Sequence, residues 1–173
     1  MVTWLRQVHG TELVVVTHPG EHAGVDADAA VTTVVGCKLA VRTADCVPIV
    51  LTGQHTVGVV HAGWRGLAAG VVQATIDAMH GDVERAQIGP HIRAGCYEFG
   101  TSDLDEVAAA LGDGIRGTTT WGAPALDLTA GVRSALGHLP LVDSGACTAC
   151  TDLYFSWRAR KDAARFATIA WMS

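Results

Sequence analysis

Three residues of this sequence carry side chains that can bind a metal ion: His9, Cys46 and His61. Cys46 and His61 each lie beside a predicted turn, and His9 lies well upstream of them. Catalytic zinc sites commonly use three protein ligands drawn from Cys, His and carboxylates, with water in the fourth position. A zinc ion held there would lower the pKa of that water. The spacing matches no compact zinc motif, so the pattern also allows that Cys46 is a small buried hydrophobe and that the histidines are structural.

The same thiol supports a second interpretation. Cys46, at the end of a predicted strand and activated by His61, could act as a thiolate nucleophile, with Asp45 either orienting the pair or simply exposed. A thiolate that ligates a metal is not free to attack a substrate. The two interpretations therefore exclude each other in the resting protein.

The residues that follow His61 indicate an anion site. The run from His61 to Gly66 (His-Ala-Gly-Trp-Arg-Gly) leads into a predicted helix, where free backbone N–H groups favour a phosphate. We therefore predict Trp64, Arg65 and Gly66 as substrate and phosphate contacts, with Trp64 stacking on a base or sugar. The structural alternative is that Arg65 pairs with an Asp and Trp64 covers the core.

The composition is that of one ordinary globular domain, residues 1–173. Hydrophobic residues make up 49% of the chain and charged residues 17%, which favours a packed core over disorder. The net charge of −5 and the lack of a Lys/Arg run argue against partners such as nucleic acid or an acidic membrane surface. No transmembrane helix or secretory signal is predicted. Five cysteines, an odd number spread along the chain, predict reduced thiols in the cytoplasm.

Short β-branched segments between glycine-containing turns predict the strands that position these residues. The predicted strands are 11–17, 29–35, 38–42, 47–51, 56–60, 86–88, 139–142 and 165–171. Pro48 places the fourth of them at a sheet edge or just after a bend. The predicted helices are 67–80, 103–111 with a capping box of Ser102 and Asp105, and one capped by Asp127 or Thr129. Because strands and helices do not alternate regularly, we predict an α+β domain with a mixed sheet.

Several motifs, spread in order over essentially the whole chain, resemble the YfiH/YlmD family. This family has been called the multicopper polyphenol oxidoreductase or laccase domain, and it is related to the human laccase-domain protein FAMIN. The motifs are Gln7-Val8-His9-Gly10, Ala27-Asp28-Ala29, Thr43-Ala44-Asp45-Cys46-Val47-Pro48, His61-Ala62-Gly63-Trp64-Arg65-Gly66, Ile88-Gly89-Pro90, Cys96-Tyr97-Glu98, Cys147-Thr148, Phe155-Ser156 and Arg158.

The resemblance implies a zinc-binding purine nucleoside enzyme. Such enzymes cleave adenosine, inosine and methylthioadenosine with phosphate and also deaminate adenosine. The resemblance implies zinc ligands at His9, Cys46 and His61. In the mechanism that we predict for deamination, Asp45 or a histidine moves protons. The resemblance also implies a four-layer α-β-β-α sandwich and a monomer. A distant similarity to the deamidating cytotoxic necrotizing factor toxins keeps the nucleophile interpretation of Cys46 open. Family members usually carry a sizeable segment before Gln-Val-His-Gly, so we expect either a short homologue or an N-terminally truncated chain.

Three other functions would use the same residues. Copper in the His/Cys site would give laccase-like polyphenol oxidation, but the eight histidines include no His-X-His pair, which a trinuclear copper centre needs. A peptidoglycan editing factor would hydrolyse a muramyl–amino acid precursor with the same thiol or zinc site. A non-catalytic zinc domain would need four protein ligands. Cys147 and Cys150 form a lone CxxC pair, which we predict to be structural.

Overall fold

A computed structural model describes all 173 residues. The strands are β1 (Val2–Trp4), β2 (Leu13–Val15), β3 (Ala29–Thr32), β4 (Lys38–Thr43), β5 (Val47–Thr52), β6 (Val57–Ala62), β7 (Arg85–Ile88), β8 (Arg116–Thr118), β9 (Pro124–Leu126), β10 (Leu141–Asp143) and β11 (Phe166–Ala170). The helices are α1 (Trp64–Ala69), α2 (Val71–Ala78), α3 (Thr101–Leu111), α4 (Leu128–Leu136) and α5 (Trp157–Arg160). None of them combines the length and apolar character needed to cross a membrane.

Two mixed sheets form the framework. The six-stranded sheet has the order β10-β7-β5-β6-β3-β2, with a parallel pair at each end and antiparallel pairs between them. The three-stranded sheet has β4 at its centre, parallel to β1 and antiparallel to β11. The strands β8 and β9 form a separate antiparallel ribbon. This mixed pairing confirms the predicted α+β class.

Two apolar clusters join the layers. The larger, of 24 buried residues, packs helices against one face of the six-stranded sheet. The smaller, of 10 buried residues, lies between the sheets and includes Leu39 and Val41 of β4 and Val59 of β6. The chain thus forms three successive layers of the expected sandwich: the helices, the six-stranded sheet and the three-stranded sheet. Trp4 and Trp171, on the three-stranded sheet side, remain about half exposed.

The predicted strands all coincide with observed ones, whereas β1 and the β8–β9 ribbon were not predicted. These strands are only three residues long, too short for a periodic pattern to stand out. The predicted helix 67–80 is interrupted at Gly70, whose φ of 96° ends α1 and precedes α2. Only glycine adopts such a backbone conformation readily, so the interruption is local in origin.

Two local predictions are confirmed and one is wrong. Pro48 follows a bend, the second of the two predicted positions, and β5 is not an edge strand, since it runs between β7 and β6. The Pro48 carbonyl accepts a hydrogen bond from the Gly89 N–H at 3.0 Å. The capping box at residues 102 and 105 is wrong, because α3 begins after Gly100 without a side-chain cap. Asp127 does cap α4 by accepting from the Ala130 N–H.

The expectation that all cysteines are reduced is wrong for two of them. Cys96 and Cys150 are joined in a disulfide across a sequence separation of 54 residues. Cys37, Cys46 and Cys147 remain free thiols. Only the tertiary fold brings Cys96 to the C-terminal segment, so no local pattern could reveal the pair.

Candidate metal centre and active site

The three sequence-predicted ligands meet at the seam between the two sheets. His9 lies in the connection from β1 to β2, and Cys46 ends the turn from β4 to β5. Each connection carries the chain from the three-stranded to the six-stranded sheet. His61 lies near the end of β6, opposite Pro48 of β5. The ligand atoms of the three residues all lie within 4.8 Å of one another.

Asp28 orients this cluster, although the sequence patterns did not predict it as a site residue. Its buried carboxylate accepts from the His9 and Gly10 N–H groups at 3.0 and 2.7 Å and lies 2.8 Å from Nδ1 of His61. Because Nδ1 is engaged, Nε2 of His61 is the nitrogen left for Cys46 or a metal. The sequence feature that could have identified Asp28 is a carboxylate between two alanines, at the start of an apolar strand.

Cys46 and His61 form a charged pair. Burial alone would raise the pKa of the Cys46 thiol, but hydrogen bonds and positive charge from His61 and His9 outweigh it and lower the pKa to about 6. Burial would lower the pKa of His61, but its contacts with Asp28 and Cys46 raise it to about 9. Without a metal ion, the two opposite shifts favour a thiolate paired with an imidazolium. The thiolate is the form that binds metals and attacks electrophiles.

The donor set fits a metal ion with one open coordination position. One thiolate and two imidazoles suit zinc and are also accepted by copper. A carboxylate on the second ring nitrogen, as Asp28 provides for His61, is the usual support of a metal-binding histidine. Gly63 makes room for the cluster, since a Cβ at that position would lie 2.7 Å from Cδ2 of His9 and 3.3 Å from Sγ of Cys46.

The cluster lies in the wall of a cavity of about 610 Å³. Four arginines that line this cavity have no carboxylate within salt-bridge distance. They are Arg42, Arg65, Arg158 and Arg165. The cavity also includes Thr43, whose Oγ1 is the one buried side-chain polar atom without a hydrogen-bond partner. In a chain of net charge −5, four guanidinium groups without a carboxylate partner around one cavity favour an anionic ligand.

The predicted substrate contacts divide into two groups. Trp64 and Arg65 line the cavity, and the Arg65 guanidinium lies 4.2 Å from the Trp64 ring rather than beside an Asp. Gly66 does not line it, and a Cβ there would lie 2.7 Å from the backbone oxygen of Gly10. Because α1 has only six residues, the arginines rather than the helix dipole provide the attraction for an anion.

Asp45 holds the C-terminal segment against the Cys46 turn. Its carboxylate accepts from Thr148 Oγ1 at 2.7 Å, from Ser156 Oγ at 2.6 Å and from the Arg158 N–H at 2.6 Å. Its φ is 100°, a conformation that non-glycine residues rarely adopt. With both oxygens engaged, the side chain is arranged to position Cys46 and Arg158.

Tyr97 also lines the cavity, and the sequence patterns did not predict it as a site residue. The Arg158 guanidinium lies 4.8 Å from its ring. Burial and the negative charge of Cys46 raise the pKa of Tyr97 to about 12. The phenol therefore stays protonated at neutral pH and is available as a hydrogen-bond donor.

The model of the multi-copper polyphenol oxidoreductase laccase family matches residues 1–173. The chain belongs to this family. A Streptomyces griseus protein named purine nucleoside phosphorylase is 40% identical over 183 residues, covering 99% of this chain and 74% of that protein. A Xylella fastidiosa protein of the same name is 38% identical and covers 98% and 71%. These matches confirm the family resemblance.

Solved structures of the family share the fold. YfiH of Bacillus licheniformis is 27% identical, with a TM-score of 0.87 over 99% of this chain and 74% of that chain. YlmD of Geobacillus stearothermophilus is 30% identical, with a TM-score of 0.82 over 98% of this chain and 74% of that chain. The mixed-sheet architecture described above is thus the architecture of the laccase-like family.

The family name refers to copper, and the structure shows which ligands this laccase-like chain offers. Two groups of His, Cys, Asp or Glu could hold a metal ion: the His9, Cys46 and His61 cluster, and a group of three cysteines. A trinuclear copper centre needs many clustered histidines. Since the two groups contain only two histidines, the chain offers no ligand set of that kind.

Proposed function

We propose that this chain is a zinc-dependent purine nucleoside phosphorylase. One observation carries the proposal: three residues that could hold a metal ion and four arginines without carboxylate partners border the same cavity. Phosphorolysis requires a phosphate held against the sugar of a nucleoside, and a cavity of about 610 Å³ is of the size of small-molecule sites. The relatives named purine nucleoside phosphorylase support this substrate class. The substrates we propose are adenosine, inosine and methylthioadenosine.

The residues of the cavity are assigned as follows. Arg42, Arg65 and Arg158 bind phosphate, because guanidinium groups donate paired N–H bonds to its oxygens. A phosphate oxygen attacks C1′ of the ribose as the C1′–N9 bond breaks. The electron pair of that bond leaves with the purine, which takes up a proton from water. Trp64 and Trp157 offer aromatic faces to the base. His9, Cys46 and His61 would hold the zinc ion, which would supply Lewis acidity at this end of the cavity.

Deamination of adenosine is the second activity that we propose. Three protein ligands and one open position are the arrangement of hydrolytic zinc sites, which activate water. In the net reaction, the oxygen of water replaces the amino group at C6, and ammonia is released. Asp45 has both oxygens engaged by the C-terminal segment. We therefore assign Asp45 to positioning rather than to proton transfer. In this proposal Cys46 is a metal ligand rather than a nucleophile.

The test is chromatography of adenosine incubated with zinc-loaded protein, with and without phosphate. We expect adenine and ribose 1-phosphate only when phosphate is present, and inosine in both conditions. Cys46→Ser should abolish both reactions together with zinc binding. Arg65→Met should raise the KM for phosphate about tenfold or more. Its matched control is Arg133→Met, on the exposed face of α4, which should leave both reactions unchanged.

Two outcomes would contradict the proposal. Absence of both products from protein that retains zinc would exclude this substrate class. Hydrolysis of a muramyl–amino acid amide without phosphate would then favour the peptidoglycan editing function. Oxidation of a polyphenol by copper-loaded protein, with no reaction on nucleosides, would favour the laccase function.

A further inference from the structure

Three cysteines outside the candidate metal centre converge in space. Cys96 lies in the short 3₁₀ turn that follows β7, whereas Cys147 and Cys150 lie in the segment after β10. Their sulfur atoms all lie within 4.8 Å of one another. The CxxC pair that is isolated in the sequence is therefore completed by a third thiol from a distant loop.

In this structure the cluster is partly oxidised. Cys96 and Cys150 form a disulfide, while Cys147 is free and its Sγ accepts a hydrogen bond from the Arg93 N–H at 3.4 Å. Cys96 and Cys147 are half-buried, and Cys150 is exposed. Cys96 also borders a second cavity, of about 580 Å³. A soluble dithiol reductant therefore has access to the disulfide.

Reduction would turn this cluster into three ligands. A dithiol supplies two electrons and two protons, the Cys96–Cys150 bond breaks, and the reductant leaves as its own disulfide. Zinc with bonds of about 2.3 Å to sulfur needs neighbouring thiolates about 3.8 Å apart. Sulfur atoms that already lie within 4.8 Å of one another need only small side-chain movements to reach that spacing.

We propose that reduced Cys96, Cys147 and Cys150 form a second metal site, for a thiophilic ion such as zinc. The three thiols lose their protons on binding, and water completes the coordination. Thiolates select soft and borderline ions over magnesium or calcium. The disulfide and the metal exclude each other because they use the same sulfur atoms. This inference is independent of the proposed nucleoside chemistry.

The surroundings suit a thiolate cluster. A zinc ion with three thiolates carries one net negative charge, and Arg158 borders the same cavity as Cys96. The Arg93 N–H already donates a hydrogen bond to the sulfur of Cys147. Either form ties together the chain segments that carry Tyr97 and Thr148. Both segments reach the main cavity, Tyr97 directly and Thr148 through its hydrogen bond to Asp45.

The test compares zinc bound per chain in the fully reduced and the disulfide-bonded protein, after removal of excess metal. We expect the reduced protein to hold one equivalent more than the oxidised protein. Cys46→Ser should lose one equivalent in both states and keep this difference. Cys147→Ser should abolish the difference, because two thiols remain. The Cys147→Ser variant keeps the Cys96–Cys150 bond, so its oxidised form should bind as much zinc as the oxidised wild type. That agreement would show that the variant is folded.

Cys37→Ala is the matched control, since Cys37 is a buried thiol of the core between the sheets. This variant should keep the full difference. Cobalt in place of zinc gives a second measure, because cobalt bound to thiolates has an absorption band. This band should appear when Cys46→Ser protein is reduced. It should be absent from the double variant that also carries Cys147→Ser. Equal zinc content in reduced and oxidised wild-type protein would overturn the proposal, and so would an undiminished difference in Cys147→Ser.

Discussion

At the scale of single residues, Asp28 determines the geometry of the candidate metal centre. One buried carboxylate binds the turn that carries His9 and the ring of His61. Burial opposes ionisation of Asp28, but the contact with His61 and the backbone N–H groups outweigh it and lower its pKa. Two ligands from distant parts of the chain are thereby positioned by one side chain.

Asp28→Asn is predicted to weaken zinc binding about 10- to 100-fold, the usual range for loss of a carboxylate that supports a metal ligand. An amide cannot accept from both backbone N–H groups and also balance the positive charge of His61. Competition with a chromophoric zinc chelator measures the effect. Asp26→Asn, at an exposed carboxylate paired with Arg6, is the matched control and should bind zinc like the wild type. Equal affinities for the two variants would contradict the role of Asp28.

At the scale of elements, the turn from β4 to β5 and the C-terminal segment form one unit through Asp45. The partners of Asp45 in this segment, Thr148 and Ser156, lie more than 100 residues after it in the sequence. This arrangement places Arg158 at the cavity beside Tyr97. The wall of the cavity therefore depends on one buried acceptor.

Asp45→Asn is predicted to destabilise the protein by about 1–3 kcal/mol, the range for loss of buried hydrogen bonds. Asparagine tolerates the positive φ of this position, so the effect isolates the hydrogen bonds. Urea unfolding measures it, and limited proteolysis should show faster cleavage near the exposed Leu153. Asp152→Asn, at an almost fully exposed side chain, should leave both measurements unchanged. An unchanged unfolding midpoint in Asp45→Asn would show that the segment is held by other contacts.

At the scale of the whole molecule, His91 links the loop after β7 to the helical layer. It is fully buried, with Nδ1 2.9 Å from the Gly89 oxygen and Nε2 2.9 Å from Thr129 Oγ1. Burial, with a smaller contribution from the charge of Arg93, lowers the pKa of His91 to about 4. The unfolded chain therefore binds a proton at this site at a higher pH than the folded protein does.

The stability of the protein is predicted to fall as the pH drops from about 6.5 to about 4, by up to about 3 kcal/mol from His91 alone. In that window the unfolded state is protonated at His91 and the folded state is not. Chemical unfolding at several pH values measures the slope. His91→Gln should reduce the dependence of stability on pH, whereas His138→Gln, at an exposed position, should leave it unchanged. Identical slopes in the wild type and His91→Gln would contradict this assignment.

Local patterns in the sequence predicted much of this protein. The β-branched segments between glycine turns located most strands, because strand formation depends on residue type and on turns that are local in the chain. The residue types and the motifs around His9, Cys46 and His61 indicated a metal centre, and the fold brings the three ligand atoms within 4.8 Å of one another. The zinc, the reactions and the catalytic roles remain predictions.

The tertiary structure decided which distant residues act together. Asp28 supports His61, and Asp45 holds the segment that carries Arg158. The four cavity arginines without carboxylate partners come from separate parts of the chain, and Cys96 meets the CxxC pair across the fold. These relations depend on how the two sheets pack and where the chain passes between them. No local pattern encodes them, because they arise from contacts between residues that are far apart in sequence.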